Sequence, residues 1–140
     1  MKIQIYKSIP EDAMALRRTV FVREQGFVDD PDEIDKIAVH FLAFDESGAP
    51  IATCRVFKKD GSEEYILGRF AVVRNARRTG VGSALLATAE EDVRSAGGKA
   101  LVLHSQLSAS DFYSKNGYSN IGSIECEQGH PHIWMMKTLD

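Results

Sequence analysis

The segment from Leu67 to Ala87 constrains the fold of this chain more than any other stretch of its sequence. It reads LGRFAVVRNARRTGVGSALLA, with an apolar strand-like run over 70–73, a basic turn over 74–79, and then glycines that open a helix over 80–83. The N–H groups of a first helical turn have no partner inside the helix, and the helix dipole adds positive potential there. Glycine lets a ligand approach the backbone closely. The segment therefore predicts a binding place for a phosphorylated ligand.

Two familiar phosphate-binding loops do not fit this segment. No Gly-Lys-Ser/Thr follows the glycines, as a Walker loop requires, and the spacing after Gly82 differs from the GxGxxG dinucleotide fingerprint. Gly80-x-Gly82 alone is equally typical of a plain tight turn between a strand and a helix. The arginines at 74, 77 and 78 favour an anionic ligand, because they cluster in a chain of net charge −3. A solvated loop is the alternative interpretation of these arginines.

Composition indicates an ordinary globular domain and excludes some function classes. The 140 residues are 44% hydrophobic and 26% charged, which fits one domain with a real core. The net charge of −3 is not typical of a nucleic-acid-binding protein. We find no apolar run of about 18 residues, so we expect no membrane span, and the start of the chain lacks the apolar core of a signal peptide. Cys54 and Cys126 form no disulfide framework, which favours reduced thiols in a cytoplasm.

The remaining pattern predicts one mixed α/β domain over residues 1–140, with about seven strands and three to four helices. A helix is expected to begin at Pro10-Glu11-Asp12, and another follows the glycine turn as a crossover between two parallel strands. A short helix is expected over 111–115. The predicted strands cover 2–6, 39–45, 51–57, 65–73, 100–104, 121–126 and 132–138.

Several motifs of this chain resemble the GNAT-type N-acetyltransferases. Arg77-x-x-Gly80-x-Gly82 after an apolar strand looks like the coenzyme A signature of that superfamily, Gln/Arg-x-x-Gly-x-Gly/Ala. The stretch DFYSKNGY over 111–118 looks like its "FYxxxGF/Y" helix. Further segments over 17–25, 33–35, 103–106 and 129–133 resemble the ElaA/YjcF-like branch. The resemblance covers most of the chain and implies a mostly antiparallel sheet with one splayed parallel pair.

The resemblance also implies which residues hold acetyl-CoA, with coenzyme A as the product and no metal. The backbone of the strand end would face the acetyl and pantetheine part, and the loop amides would hold the pyrophosphate. Gln106 stands where many relatives carry an asparagine that contacts the cofactor. The implied cofactor residues are Phe70, Ala71, Val72, Arg77, Arg78, Thr79, Gly80, Val81, Gly82, Ser83 and Gln106.

Transfer of the acetyl group to an amine requires a base and an acid. A primary amine of the lysine type has a pKa of about 10.4, so it must lose a proton before it attacks. By resemblance, Tyr113 is the candidate general acid for the leaving thiolate; a packing tyrosine is the alternative. Gly68 stands near the position where some superfamily members carry a glutamate. Glu24 and His104 are therefore the base candidates; Glu33, Asp35, His40 and His132 are further ones, and for each a purely structural role is the alternative.

Three functions stay open at this stage. The first is an N-acetyltransferase that acts on a small-molecule amine or an exposed amino group, and the second is a catalytically silent coenzyme A-binding sensor or interaction module. Generic nucleotide binding is the third and has the least support, since no Walker lysine or metal-binding acid accompanies the glycines. The acidic stretch over 29–35 is expected to be a loop that either attracts a cationic amine or is merely solvated. His130 and His132 lack a third clustered ligand, so no metal site is expected. We expect no nucleic-acid or membrane partner, and a homodimer is compatible with the sequence.

Overall fold

An eight-stranded mixed sheet forms the centre of the computed structural model, which describes residues 1–140. The strands follow the order β1-β2-β3-β4-β5-β8-β6, with β7 paired to β8. All pairs are antiparallel except β4 and β5. The strands are β1 (Lys2–Tyr6), β2 (Val39–Phe44), β3 (Pro50–Lys58), β4 (Glu64–Val72), β5 (Ala100–Gln106), β6 (Ser119–Asn120), β7 (Glu125–Glu127) and β8 (His130–Thr138).

Four helices connect these strands: α1 (Glu11–Arg17), α2 (Glu33–Ile37), α3 (Val81–Ser95) and α4 (Ser110–Lys115). Helix α1 continues without a break as a π-helical segment over Arg18–Glu24, a geometry that is often found at functional sites. Helix α2 begins with a capping box, in which Asp32 and Asp35 each accept a hydrogen bond from the other's backbone N–H. The sequence pattern predicted a loop over 29–35, and the helix that begins at Glu33 corrects that prediction.

Alternating side chains of β2 separate two apolar cores on opposite faces of the sheet. Phe41 and Ala43 belong to the larger core, with Leu85 and Leu86 of α3. Leu42 instead packs in the smaller core, with residues of α1 such as Leu16. Because successive strand side chains point to opposite faces, this alternation places α1 and α3 on opposite sides of the sheet. The period of the sequence thus determines which helix covers which face.

The parallel pair β4–β5 separates along its length. Backbone pairing joins Glu64–Leu67 to Ala100–Leu103 and then stops, although both strands continue. On the other side of β4 the register with β3 shifts, so that Arg69 and Phe70 lie opposite a single residue. Arg69 has a φ of 50°, in the left-handed region. A bulge bends its strand, and this one lies where β4 leaves β5, which opens a gap between the two strand ends.

The predicted α/β fold with a splayed parallel pair is confirmed, including the helical crossover between the two strands. One predicted strand is wrong. Residues 121–126 do not form a continuous strand; the short strands β6 and β7 flank a bend in which Gly122 has a φ of 100°. That left-handed backbone interrupts the extended conformation, so the sheet has eight strands rather than about seven.

Candidate active site

A cavity of about 370 Å³ opens where β4 and β5 diverge. One end is lined by the strand ends and by α4, where the bulge residue Phe70 faces Tyr113. The other end is lined by aromatic and aliphatic side chains from the loop after α1, from β3 and from β8. The lining residues used below are Phe21, Phe27, Asp29, Ile34, Arg55, Phe57, Ile66, Gly68, Arg69, Phe70, His104, Gln106, Tyr113, Glu127, Gln128, His132 and Trp134.

The N-terminus of α3 follows the end of β4 and presents free backbone donors. Its N-cap is Gly80, with a φ of 91°, and no side chain caps the first turn. The N–H groups of Val81, Gly82 and Ser83 therefore have no partner in the helix. Arg78 also has a left-handed backbone, with a φ of 64°. The first turn of α3 thus has unpaired backbone N–H groups, the kind of helix terminus at which anions bind.

Gly82 has a second reason to be glycine, which the sequence alone does not indicate. A Cβ atom at this position would lie 3.2 Å from the ring of Phe112 in α4. The Phe112 ring in turn contacts Phe70, with ring centroids 5.6 Å apart. The glycine thus lets α4 approach α3 closely beside the end of β4.

Two predicted cofactor residues are held by consecutive residues at the end of the π-helical segment. Arg77 donates to both carboxylate oxygens of Glu24, at 2.7 and 2.8 Å, and its Nε donates to the Val72 carbonyl at 3.0 Å. Gln106 Nε2 donates to Gln25 Oε1 at 2.9 Å. Hydrogen bonds from Arg77 lower the pKa of Glu24 below its ordinary value. Glu24 and Gln25 therefore connect the ends of both diverging strands.

Tyr113 of α4 lies at the end of the cavity that is lined by the ends of β4 and β5. Its side chain is buried, and its ring meets that of Phe70 edge-on, with centroids 5.9 Å apart. Burial raises the pKa of its hydroxyl above the ordinary value, so Tyr113 remains protonated at neutral pH. A protonated phenol in this place is able to donate to a group at the divergence of the strands.

His104 lies on the cavity wall opposite Tyr113, beside an aromatic ring and two carboxylates. Its ring stacks on Trp134, with centroids 4.4 Å apart and an interplanar angle of 19°. Its Nδ1 is 3.2 Å from a carboxylate oxygen of Glu127, while its buried Nε2 lies 3.4 Å from Glu125 and makes no hydrogen bond. Sequence analysis did not single out Glu125 or Glu127, since only the β7–β8 pairing places them beside His104.

Asp29, Asp32 and Asp35 of the acidic stretch over 29–35 are paired with arginines and are not free to attract an amine. Asp29 and Asp35 are buried, and Arg17 donates to both, with Nε at 2.9 Å from Asp29 and Nη1 at 2.9 Å from Asp35. Arg55 Nη1 donates to Asp35 and to Asp32, each at 2.8 Å. The expectation of an open acidic loop is therefore wrong for Asp29, Asp32 and Asp35, because three distant arginines at 17, 55 and 69 pair with them.

The same network includes two of the candidate bases, Asp35 and His40, and gives both a structural role. His40 is buried, and its Nε2 donates to the Asp35 carbonyl at 2.9 Å. Burial raises the pKa of Asp35, but the hydrogen bonds from Arg17 and Arg55 outweigh this, so the pKa lies below its ordinary value. Asp35 and His40 thus hold the wall of the cavity together.

Gly68, the position without an acidic side chain, faces an arginine. A Cβ atom there would lie 3.7 Å from Nε of Arg55, a buried donor that has no hydrogen-bond partner. The side chain that faces Gly68 is therefore a guanidinium already paired with Asp32 and Asp35, and not a carboxylate able to accept a proton. The structure contains no group of three or more side chains arranged to hold a metal ion, and none of its helices is both long and apolar enough to span a membrane.

These features agree with the comparisons to known proteins. Residues 26–139 match the family model described as an acetyltransferase (GNAT) domain. The chain belongs to the GNAT acetyltransferase family and is a GNAT-type N-acetyltransferase. A Bacillus subtilis (strain 168) protein named as a candidate acetyltransferase is 32% identical over 133 residues, which is 91% of this chain and 88% of that protein.

Solved structures share the whole fold. A candidate N-acetyltransferase from Lactobacillus plantarum superposes with a TM-score of 0.89 at 30% identity, covering 99% of this chain and 97% of that one. Escherichia coli ElaA superposes with a TM-score of 0.86 at 26% identity, covering 97% and 98% of the two chains. An aminoglycoside 6'-N-acetyltransferase solved with coenzyme A shares the fold, with a TM-score of 0.76 at 18% identity over 99% and 97% of the chains.

Proposed function

We propose that this protein transfers an acetyl group from acetyl-CoA to a primary amine by direct attack of the amine. The observation that carries the proposal is the gap between β4 and β5, which leads from a cavity to the uncapped N-terminus of α3. A long, narrow ligand with phosphates at one end and a reactive group at the other fits that arrangement. Coenzyme A in the related aminoglycoside acetyltransferase structure is such a molecule.

The residues of the gap suit the parts of this ligand. The backbone of Phe70–Val72 follows the bulge and offers polar groups to an extended arm, because β5 no longer pairs with it. The amides of 78–83 would hold the pyrophosphate at the helix terminus, where Gly82 leaves the approach open. Arg77 and Gln106 would contact the cofactor from the two strand ends.

Acetyl-CoA supplies an acyl carbon activated as a thioester. The amine nitrogen forms a bond to this carbon while the carbon–sulfur bond breaks. A backbone N–H near Val72 would donate to the oxygen as it gains charge. Tyr113, which burial keeps protonated, would donate its proton to the departing sulfur.

The proton of the incoming ammonium needs an acceptor on the other wall. Glu24 is a poor one, because both its carboxylate oxygens accept from Arg77 and its pKa is lowered. His104 is better placed, since it lines the cavity and its Nδ1 lies beside Glu127. We therefore assign the base to His104. We expect the enzyme to act in the cytoplasm, where its unpaired cysteines would stay reduced.

Calorimetry with coenzyme A and a thiol-release assay with acetyl-CoA test the proposal together. We expect binding, and thiol release above background hydrolysis with at least one member of a panel of amines and peptides. Tight binding without turnover on any amine would favour a catalytically silent coenzyme A sensor. Absence of coenzyme A binding would refute both functions.

A further inference from the structure

The acceptor end of the cavity contains apolar side chains that belong to neither core. Phe27, Ile34, Phe57, Ile66 and Trp134 line the cavity but pack in neither of the two apolar cores. Phe57 pairs with Ile66 across β3 and β4, so the two lie side by side on one face. All but Phe27 are only partly buried. Such a group of aromatic and aliphatic side chains around an open space is typical of a small-molecule site.

Contacts between distant segments hold this wall in place. Gln128 accepts from the Val28 N–H at 2.8 Å and donates to the Val28 carbonyl at 3.2 Å. Phe27 stacks on His130, with ring centroids 4.4 Å apart. The loop after the π-helical segment and the β7–β8 hairpin are thus joined, and the cavity is formed before any acceptor binds.

Among the carboxylates that line the cavity, that of Glu127 has no arginine or lysine partner. Asp29 is paired with Arg17 and Arg69, and Arg55 with Asp32 and Asp35. Glu127 instead has only imidazoles near it, with His104 at 3.2 Å and His132 at 3.7 Å. A single ammonium group therefore has one favourable place in the cavity, next to Glu127 and close to the His104 ring.

We propose that the acceptor is a primary monoamine on an aromatic body, with its amino group held between Glu127 and His104. The inference deepens the proposed function and rests on it. The ring would lie among Phe57, Ile66 and Trp134, where aromatic pairs add to the burial of apolar area. A second ammonium on the same molecule would meet apolar side chains or carboxylates already paired with arginines, and its burial without a charge partner costs free energy.

Two matched pairs of amines isolate the ring and the second charge. At saturating acetyl-CoA, kcat/KM is measured for 2-phenylethylamine against ethylamine, and for n-butylamine against 1,4-diaminobutane. We expect 2-phenylethylamine to exceed ethylamine by about 10- to 100-fold, as burial of a phenyl group predicts. We expect butylamine to exceed diaminobutane by about tenfold or more. Equal values within either pair, or a preference for the diamine, would overturn the proposal.

Variants of the wall give an independent readout. Phe57→Leu should lower kcat/KM for 2-phenylethylamine by about tenfold and leave ethylamine almost unchanged. Trp134 is left in place, because its ring stacks on His104. Glu127→Gln should raise KM for both monoamines by about tenfold. Phe44→Leu, at a half-buried aromatic outside the cavity, is the matched control and should change neither amine. A loss that is equal for both amines in Phe57→Leu would refute an aromatic subsite.

Coenzyme A affinity separates this proposal from the proposed function. We expect every variant to bind coenzyme A like the parent, which also shows that each is folded. Turnover of 1,4-diaminobutane equal to or above that of n-butylamine, with normal coenzyme A binding, would refute the aromatic acceptor and leave the acetyltransferase intact. Loss of all coenzyme A binding by the parent protein would refute the proposed function itself and the acceptor with it.

Discussion

Replacement of Asp35 by Asn should destabilise the protein far more than the same change at an exposed acidic residue. Its Oδ1 accepts from Arg17 at 2.9 Å and from Arg55 at 2.8 Å, and the three side chains are only 2–4% exposed. The amide would remove one of the two carboxylate partners of each buried guanidinium, so that Arg17 retains only Asp29 and Arg55 only Asp32. Breaking a buried ion pair in this way costs about 3–5 kcal/mol.

This cost converts into a large change in melting temperature. Unfolding entropy of about 2.1 cal/mol/K per residue amounts to roughly 0.3 kcal/mol/K for a chain of this length. The expected decrease of Tm is therefore about 10–17 °C by calorimetry or circular dichroism. Asp30→Asn is the matched control, because Asp30 is exposed and forms no ion pair, and it should change stability by less than about 0.5 kcal/mol. A loss below about 1 kcal/mol for Asp35→Asn would refute the network as a source of stability.

The pH dependence gives a second measurement of the same network. Burial raises the pKa values of Asp29, Asp32 and Asp35, but hydrogen bonds from Arg17 and Arg55 outweigh it and lower all three. A lowered folded-state pKa stabilises the protein above the unfolded value of about 3.9. That stability is lost as the pH falls below about 4. Urea titrations should therefore show a steeper loss of unfolding free energy below this pH in the parent than in Asp35→Asn.

Three further outcomes follow from the site. Tyr113→Phe should lower kcat by about 100-fold with unchanged coenzyme A affinity, since only the proton donor is removed; full activity would leave Tyr113 as a packing residue. Gly82→Val should abolish coenzyme A binding measured by calorimetry, and unchanged affinity would refute the loop assignment; thermal unfolding should also reveal the collision with Phe112. Iodoacetamide should label exposed Cys126 and not Cys54, whose burial raises the pKa of its thiol; mass spectrometry that finds two labels on the folded protein would contradict this.

Local patterns predicted the fold well, and tertiary contacts account for what they missed. The glycines at 80 and 82 indicated the turn before α3, since that signal depends on a few adjacent residues. The stretch over 29–35 was mispredicted because its partner arginines lie 12 to 40 residues away and meet it only in the folded protein. Glu127 carried no signal at all, because only the register of β7 against β8 brings it to His104.

Glu24 and His104 are the two leading base candidates from the sequence, and one pair of substitutions distinguishes them. Glu24 accepts two hydrogen bonds from Arg77, which lower its pKa and make it a weaker base than an ordinary carboxylate. Glu24→Gln should therefore keep kcat within about threefold, although coenzyme A affinity is free to change as Arg77 is released. Loss of a general base costs about 100-fold or more, so His104→Gln should lower kcat by that amount.

The shape of the pH–rate profile is the stricter criterion for this assignment. A base must be deprotonated to act, so kcat of the parent should fall towards acid pH, and His104→Gln should lose that dependence. Glu125, Glu127 and His132 surround His104, and Glu127→Gln should keep the acid limb because it leaves the base in place. An acid limb that disappears in Glu24→Gln and persists in His104→Gln would reverse the assignment. The Glu24–Arg77 contact would then be an inhibitory pairing that the acceptor or cofactor must break.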